Sequence, residues 1–126
     1  MTLRLRSGQA LVILLVFVGI TAVVTAAGAM VMIAGAQSGS KFELGTEAYF
    51  AAEAGAENGL LQILRNPAYA GETLNLTNAT AVVTVSGTNP KTLESVGTVN
   101  GLSRKIRVIG NYVNGVLTVT SWKEVD

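Results

Sequence analysis

ALVILLVFVGITAVVTAAGAMVMIAGA, residues 10–36, is the stretch that decides the fold. Only Thr21 and Thr25 interrupt its apolar side chains, and no charge occurs between Arg6 and Lys41. A bilayer core needs about 20 apolar residues in helical form, and this run exceeds that length. Arg4 and Arg6 lie just before it, and the next basic residue is Lys41. The positive-inside bias places the short N-terminus in the cytoplasm and the C-terminal remainder outside. A single-pass anchor in the cytoplasmic membrane is therefore expected. A cleaved secretory signal has an apolar core of about 7–15 residues, shorter than this one. A plain signal anchor fits both length and charge.

Working outward, Gln37-Ser38-Gly39-Ser40 marks the exit from the apolar segment, residues 9–37. Phe42, Tyr49, Ala52, Ala56, Leu60 and Ile63 then recur at steps of three, four or seven, which is one helical face. Glu43, Glu47, Glu53 and Glu57 take other faces. The amphipathic segment, 38–66, ends at Asn66-Pro67, where Pro67 turns Asn66 away from helical dihedrals. A helix from Gly8 to Arg65 would be about 87 Å long at 1.5 Å per residue. Gly39, Gly45, Gly55 and Gly59 each weaken it by about 1 kcal/mol against Ala. A bend or melted turn is expected near Ser38–Gly45.

From residue 67 to 126 the period is that of strands. Ala68–Asn78 is turn-rich and reads as a surface loop. Thr80–Ser86, Thr92–Val99, Leu102–Tyr112 and Val116–Val125 read as four strands, with Gly87-Thr88-Asn89-Pro90 as the first, looser turn. Asn100-Gly101 and Asn114-Gly115 are two-residue hairpin turns, because both positions need positive φ. The first places Leu93 opposite Val108, Ser95 opposite Ile106 and Val99 opposite Leu102. The second places Tyr112 opposite Leu117, Gly110 opposite Val119 and Val108 opposite Ser121. The other face then carries the rows Glu94–Arg107–Trp122 and Val96–Lys105–Glu124, with Arg107 and Trp122 either in cation–π contact or simply solvated. The expected fold is α+β: a long N-terminal helix packed on a four-stranded antiparallel meander. Its core joins Tyr49, Leu60 and Ile63 of the helix to Ile106, Val108, Leu117 and Val119 of the sheet.

The net charge of +1 argues for no particular partner. The chain has no Cys and no His, which removes disulfides, thiolate sites and the commonest general base and metal ligand. Glu53 and Glu57, four residues apart, lack a third polar partner and read as solvated charges rather than an acid–base pair. Asn75-Leu76-Thr77 and Asn78-Ala79-Thr80 match the glycosylation sequon but read as turn and strand-start residues. Basic residues do not interleave with stacking aromatics, so nucleic-acid binding is not indicated. No catalytic residue, metal ligand or cofactor site is expected, and the chain does not read as an enzyme.

A basic tip, Gly8, and a long apolar helix that emerges to pack on an antiparallel sheet resemble the type IV pilin and pseudopilin plan. Arg6-Ser7-Gly8-Gln9-Ala10-Leu11-Val12 resembles the N-terminus of PilX-like minor pilins. Glu47-Ala48-Tyr49-Phe50-Ala51-Ala52-Glu53-Ala54-Gly55 is similar to their "AFYAAEAG" segment, with Tyr49 and Phe50 exchanged. Leu93–Val99 followed by Arg104 is similar to a strand-turn-strand of many minor pilins and pseudopilins. The resemblance implies a leader, residues 1–8, removed by prepilin peptidase after Gly8, with Gln9 becoming the methylated first residue. Major pilins usually carry Glu as fifth mature residue; here that position is Ile13, which sets the chain apart from the bulk subunit. Gly19, Ala22, Ala26 and Ala29 would let helices approach closely in a filament core, although ordinary transmembrane composition explains them too. The function implied is that of a structural subunit, a minor pilin of a type IV pilus or related filament, which polymerises through its apolar helix. Its implied partners are other pilin subunits, prepilin peptidase, the inner-membrane assembly machinery and, before assembly, the lipid bilayer. Assembly would carry it to the cell surface. The alternative is a signal-anchored envelope domain that binds through its sheet and never polymerises.

Overall fold

A computed structural model describes the backbone of residues 2–126 and the side chains of residues 8–126. Arg4 and Arg6 of the expected leader lie outside the residues whose side chains are described. The fold is α+β. Helix α1 (Thr2–Arg65) precedes strands β1 (Gly71–Asn75), β2 (Thr80–Ser86), β3 (Lys91–Val99), β4 (Leu102–Val113) and β5 (Val116–Val125). The strands form one antiparallel sheet in chain order. The chain packs as two units that divide after Ser40, and the second, Lys41–Asp126, holds the sheet and the helix segment that covers it.

Residues 38–45 are helical, so the melted turn expected there does not form. The helix ends where expected. Past Arg65, the Asn66 amide still donates to the Gln62 carbonyl at 2.8 Å. The Asn66 side chain accepts from the Ala68 amide at 3.0 Å, which closes the turn through Pro67. Both Asn-Gly turns have the positive φ that such hairpins require: 47° and 80° at Asn100 and Gly101, 52° and 80° at Asn114 and Gly115.

The sheet has five strands, not four. Gly71–Asn75, expected as loop, pairs with β2 from Gly71↔Thr84 to Asn75↔Thr80. Its alternation is illegible in sequence because an inward position is polar. Glu72 lies opposite the buried Val83, and its carboxylate accepts from Asn58 Nδ2 at 2.7 Å and from the Tyr69 hydroxyl at 3.0 Å. A hydrogen-bonded carboxylate stands where a period-two pattern calls for an apolar residue.

The β3–β4 register is as read from the sequence, including Leu93↔Val108, Glu94↔Arg107, Ser95↔Ile106 and Val99↔Leu102. The β4–β5 register agrees only near the turn, at Tyr112↔Leu117 and Gly110↔Val119. A bulge then shifts it by one residue. Val108 faces Trp122 instead of Ser121, Arg107 faces Lys123 instead of Trp122, and Lys105 faces Val125 instead of Glu124. Thr120 is the residue without a partner, and its hydroxyl donates to the Ile109 carbonyl at 3.1 Å. One extra residue exchanges the faces of all that follows it. Trp122 and Glu124 thus join the helix side of the sheet, where Glu124 pairs with Arg104 at 2.7 Å. The Arg107–Trp122 contact is not formed; Arg107 pairs with Glu94 at 2.7 Å.

The core joins Ala52, Ala56 and Ile63 of α1 to Val83, Leu93, Ile106 and Val108. Tyr49, Leu60 and Leu117 are half-buried against it. Val119, expected in this core, is 41% exposed, and Phe42 of the expected helix face is 78% exposed. For Val119 the reason is width. A helix about 10 Å across covers two or three strands spaced about 4.8 Å apart, and β5 lies beyond that cover. Contact with the helix is close because both sides are small. The Cα of Gly97 sits directly against the helix backbone at Ala48 and Ala52, and Gly55 lies against Ser95 and Ala81. Ser95 is fully buried there, and its hydroxyl has no hydrogen-bond partner.

Candidate functional site: the apolar helix and the polar clamp on its domain

All side chains from Gly8 to Ser40 are exposed within the chain. The most apolar stretch of this helix has a mean hydropathy of 2.8, and the helix is long and apolar enough to cross a membrane near the N-terminus. It is a candidate single-pass anchor. The two hydroxyls inside the run are satisfied internally, as hydrocarbon surroundings demand. Thr21 Oγ1 donates to the Phe17 carbonyl and Thr25 Oγ1 to the Thr21 carbonyl, each at 2.8 Å.

Small side chains leave a shallow apolar groove along one side of this helix. Ala22, Ala26 and Ala29 line it together with Phe17, Val18, Thr21 and Thr25. Three of the four small residues singled out from sequence thus share one surface, while Gly19 lies outside the groove. Among the described residues, no side chain or distant backbone atom approaches Gly19 or Gly8. Gly8 and Gln9 are both exposed, at the start of the apolar run. A surface of this kind is suited to close approach of a second helix rather than to chemistry.

The domain carries polar contacts of a structural sort. Glu72 ties β1 to Asn58 of the helix and to Tyr69 of the connecting turn. Burial first, then the hydrogen bond to Glu72 and its negative charge, pushes the Tyr69 hydroxyl up from 10.0 to about 12. The folded state therefore favours neutral tyrosine more than the unfolded state does. That contribution is fully present below about pH 10 and is lost as pH rises through about 12. Alkaline titration of the full chain should show stability falling across this window, and Tyr69→Phe should flatten the fall. Equal slopes in the two proteins would remove Tyr69 as its source.

Glu53 is half-buried and Glu57 exposed, and neither enters an ion pair among the described residues. Among those residues no three His, Cys, Asp or Glu side chains come together. Sequence reasoning missed Ala48, Gly55 and Gly59 as the helix side of the close contact; their steps of seven and four were the available signal. Comparison with protein-family models, with curated proteins and with solved structures finds no match to this chain.

Proposed function

We propose that this chain is a structural filament subunit of the type IV pilin kind, a minor pilin, held in the cytoplasmic membrane before assembly. The observation that carries the reading is the division of labour along α1. Residues 8–40 are apolar and unburied within the chain, while residues from Ala48 to Ile63 supply the helix side of the domain core. Once out of lipid, the exposed stretch must bury its apolar surface against like helices, and that burial holds a filament together. The small residues Ala22, Ala26 and Ala29 on one groove support close packing of that kind.

In this reading the N-terminus starts in the cytoplasm, and prepilin peptidase cuts between Gly8 and Gln9. The new amine of Gln9 is methylated, and the inner-membrane machinery adds the subunit to other pilins for display at the cell surface. Ile13 at the fifth mature position supplies no carboxylate to neutralise a neighbouring amine, which supports a minor role. The test is intact mass. Protein from membranes with an active prepilin peptidase should begin at Gln9 and carry one added methyl group. An intact Met1 terminus would sink the pilin reading and leave an anchored domain that does not polymerise.

A further inference from the structure

Helix α1 leaves one apolar strip on its own side of the sheet uncovered. The residues it buries run from Val83 on β2 through Leu93 on β3 to Ile106 and Val108 on β4, and Gly97 on β3 lies against its backbone. The helix is therefore centred over β3. Beyond it, on the same side of the sheet, β5 presents Leu117, Val119 and Trp122. Leu117 is half-buried, but Val119 and Trp122 are 41% and 38% exposed. The bulge at Thr120 is what turns Trp122 to this side. On the helix, Phe42 borders the same flank, 78% exposed, in a hollow it shares with Thr46, Tyr49, Arg104 and Glu124.

Width and charge together decide what fits there. Strands lie about 4.8 Å apart, so β5 is about 10 Å to one side of the strand beneath α1. Packed helices have axes about 8–10 Å apart. A second helix laid beside α1 would thus rest on β5, flanked by Phe42 and Tyr49, with Val119 and Trp122 beneath it. Its surface must be uncharged. The two cations on this side of the sheet are engaged, Arg104 with Glu124 at 2.7 Å and Lys91 with the Pro67 carbonyl at 2.8 Å. Neither is free to receive the acidic Lys41–Arg65 segment of a neighbour, which carries Glu43, Glu47, Glu53 and Glu57. The apolar run, residues 10–36, has no charge and is unburied within its own chain.

We infer that the helix side of β5 is the seat of the apolar run of a neighbouring copy. This rests on the filament reading and names the surface of the domain on which that helix lies. Burial of the apolar helices places them at the centre of the filament with the sheets outside, so the helix side of β5 is turned inward, toward them. Each copy gives its run and receives another on its β5, so the contact is heterologous and passes from copy to copy.

The test uses two forms of the full chain, which has no cysteine of its own. One carries Val119→Cys, and the other a single cysteine at successive positions 16–32. They are produced together in cells with active prepilin peptidase, and membranes and filaments are oxidised. Each chain holds one cysteine, so every mixed disulfide joins two copies. Yields should peak every three to four positions, as one helical face requires, about tenfold above the positions between. Adding Phe42→Glu to the Val119→Cys chain should flatten the peaks, because a charge would have to be buried in an apolar contact. Phe42 is exposed in the single chain, so its replacement should leave urea unfolding in detergent unchanged. Even yields along the run, no mixed disulfide, or peaks that survive Phe42→Glu overturn the proposal. Strong quenching of Trp122 by brominated lipid chains in place of the peaks assigns the strip to lipid and overturns it as well. The mass of the N-terminus is read on the same sample. A Gln9 terminus without the periodic pattern rejects this contact alone, and a Met1 terminus rejects the pilin reading.

Discussion

Gly97→Ala should lower the stability of the domain by about 3 kcal/mol or more, the upper end for overpacking a tight site. A Cβ at this position would stand 2.5 Å from the Ala52 amide nitrogen, 3.1 Å from the Ala51 carbonyl carbon and closer still to the Ala48 carbonyl oxygen. These are helix backbone atoms, and no rotamer change removes them. The helix must lift from β3, which parts Ala52 and Ala56 from Leu93 and Ile106. Urea unfolding of the full chain in detergent, followed through its single tryptophan, Trp122, measures the loss. A loss under about 0.5 kcal/mol, the range of neutral surface changes, would mean that helix and strand are not in contact there.

Ile106→Ala should cost about 2–5 kcal/mol, the range for emptying a packed aliphatic site. Ile106 is fully buried between the helix and the centre of the sheet. Leu60→Ala should cost less, because Leu60 is only half-buried and its neighbours can close over the gap. Val119→Ala should stay within about 0.5 kcal/mol, as expected for an exposed site. The same unfolding experiment ranks the three. Equal losses at Ile106 and Val119 would extend the core to the edge strand and contradict the limited width of the helix.

The small size of the contacting residues explains both predictions. Ala48, Ala52, Gly55 and Ala56 bring the helix axis close to the sheet, so little free space remains for a side chain at Gly97 or for relaxation around Ile106. Taken as isolated helix positions, Gly55 and Gly59 only weaken α1. Packed on the sheet, they admit Ser95 and Leu93, which lie where their Cβ atoms would be.

What the sequence by itself determined was local or one-dimensional. An uncharged apolar run longer than a bilayer core makes a candidate membrane-spanning helix whatever follows it, because no tertiary contact is needed to read its length. Asn100-Gly101 and Asn114-Gly115 specify tight turns through their own dihedral preferences, and the β3–β4 register follows from the first by counting. Tertiary structure decided what depends on partners distant in sequence. Strand β1 exists because β2 offers an edge, and its inward Glu72 is acceptable only because Asn58 and Tyr69 arrive to bind it. The bulge at Thr120 lies between the turn and Trp122, Lys123 and Glu124, so the sides these residues take could not be counted from the turn. Val119 alternates correctly for a core position, yet it stays exposed because one helix is too narrow to cover the edge strand.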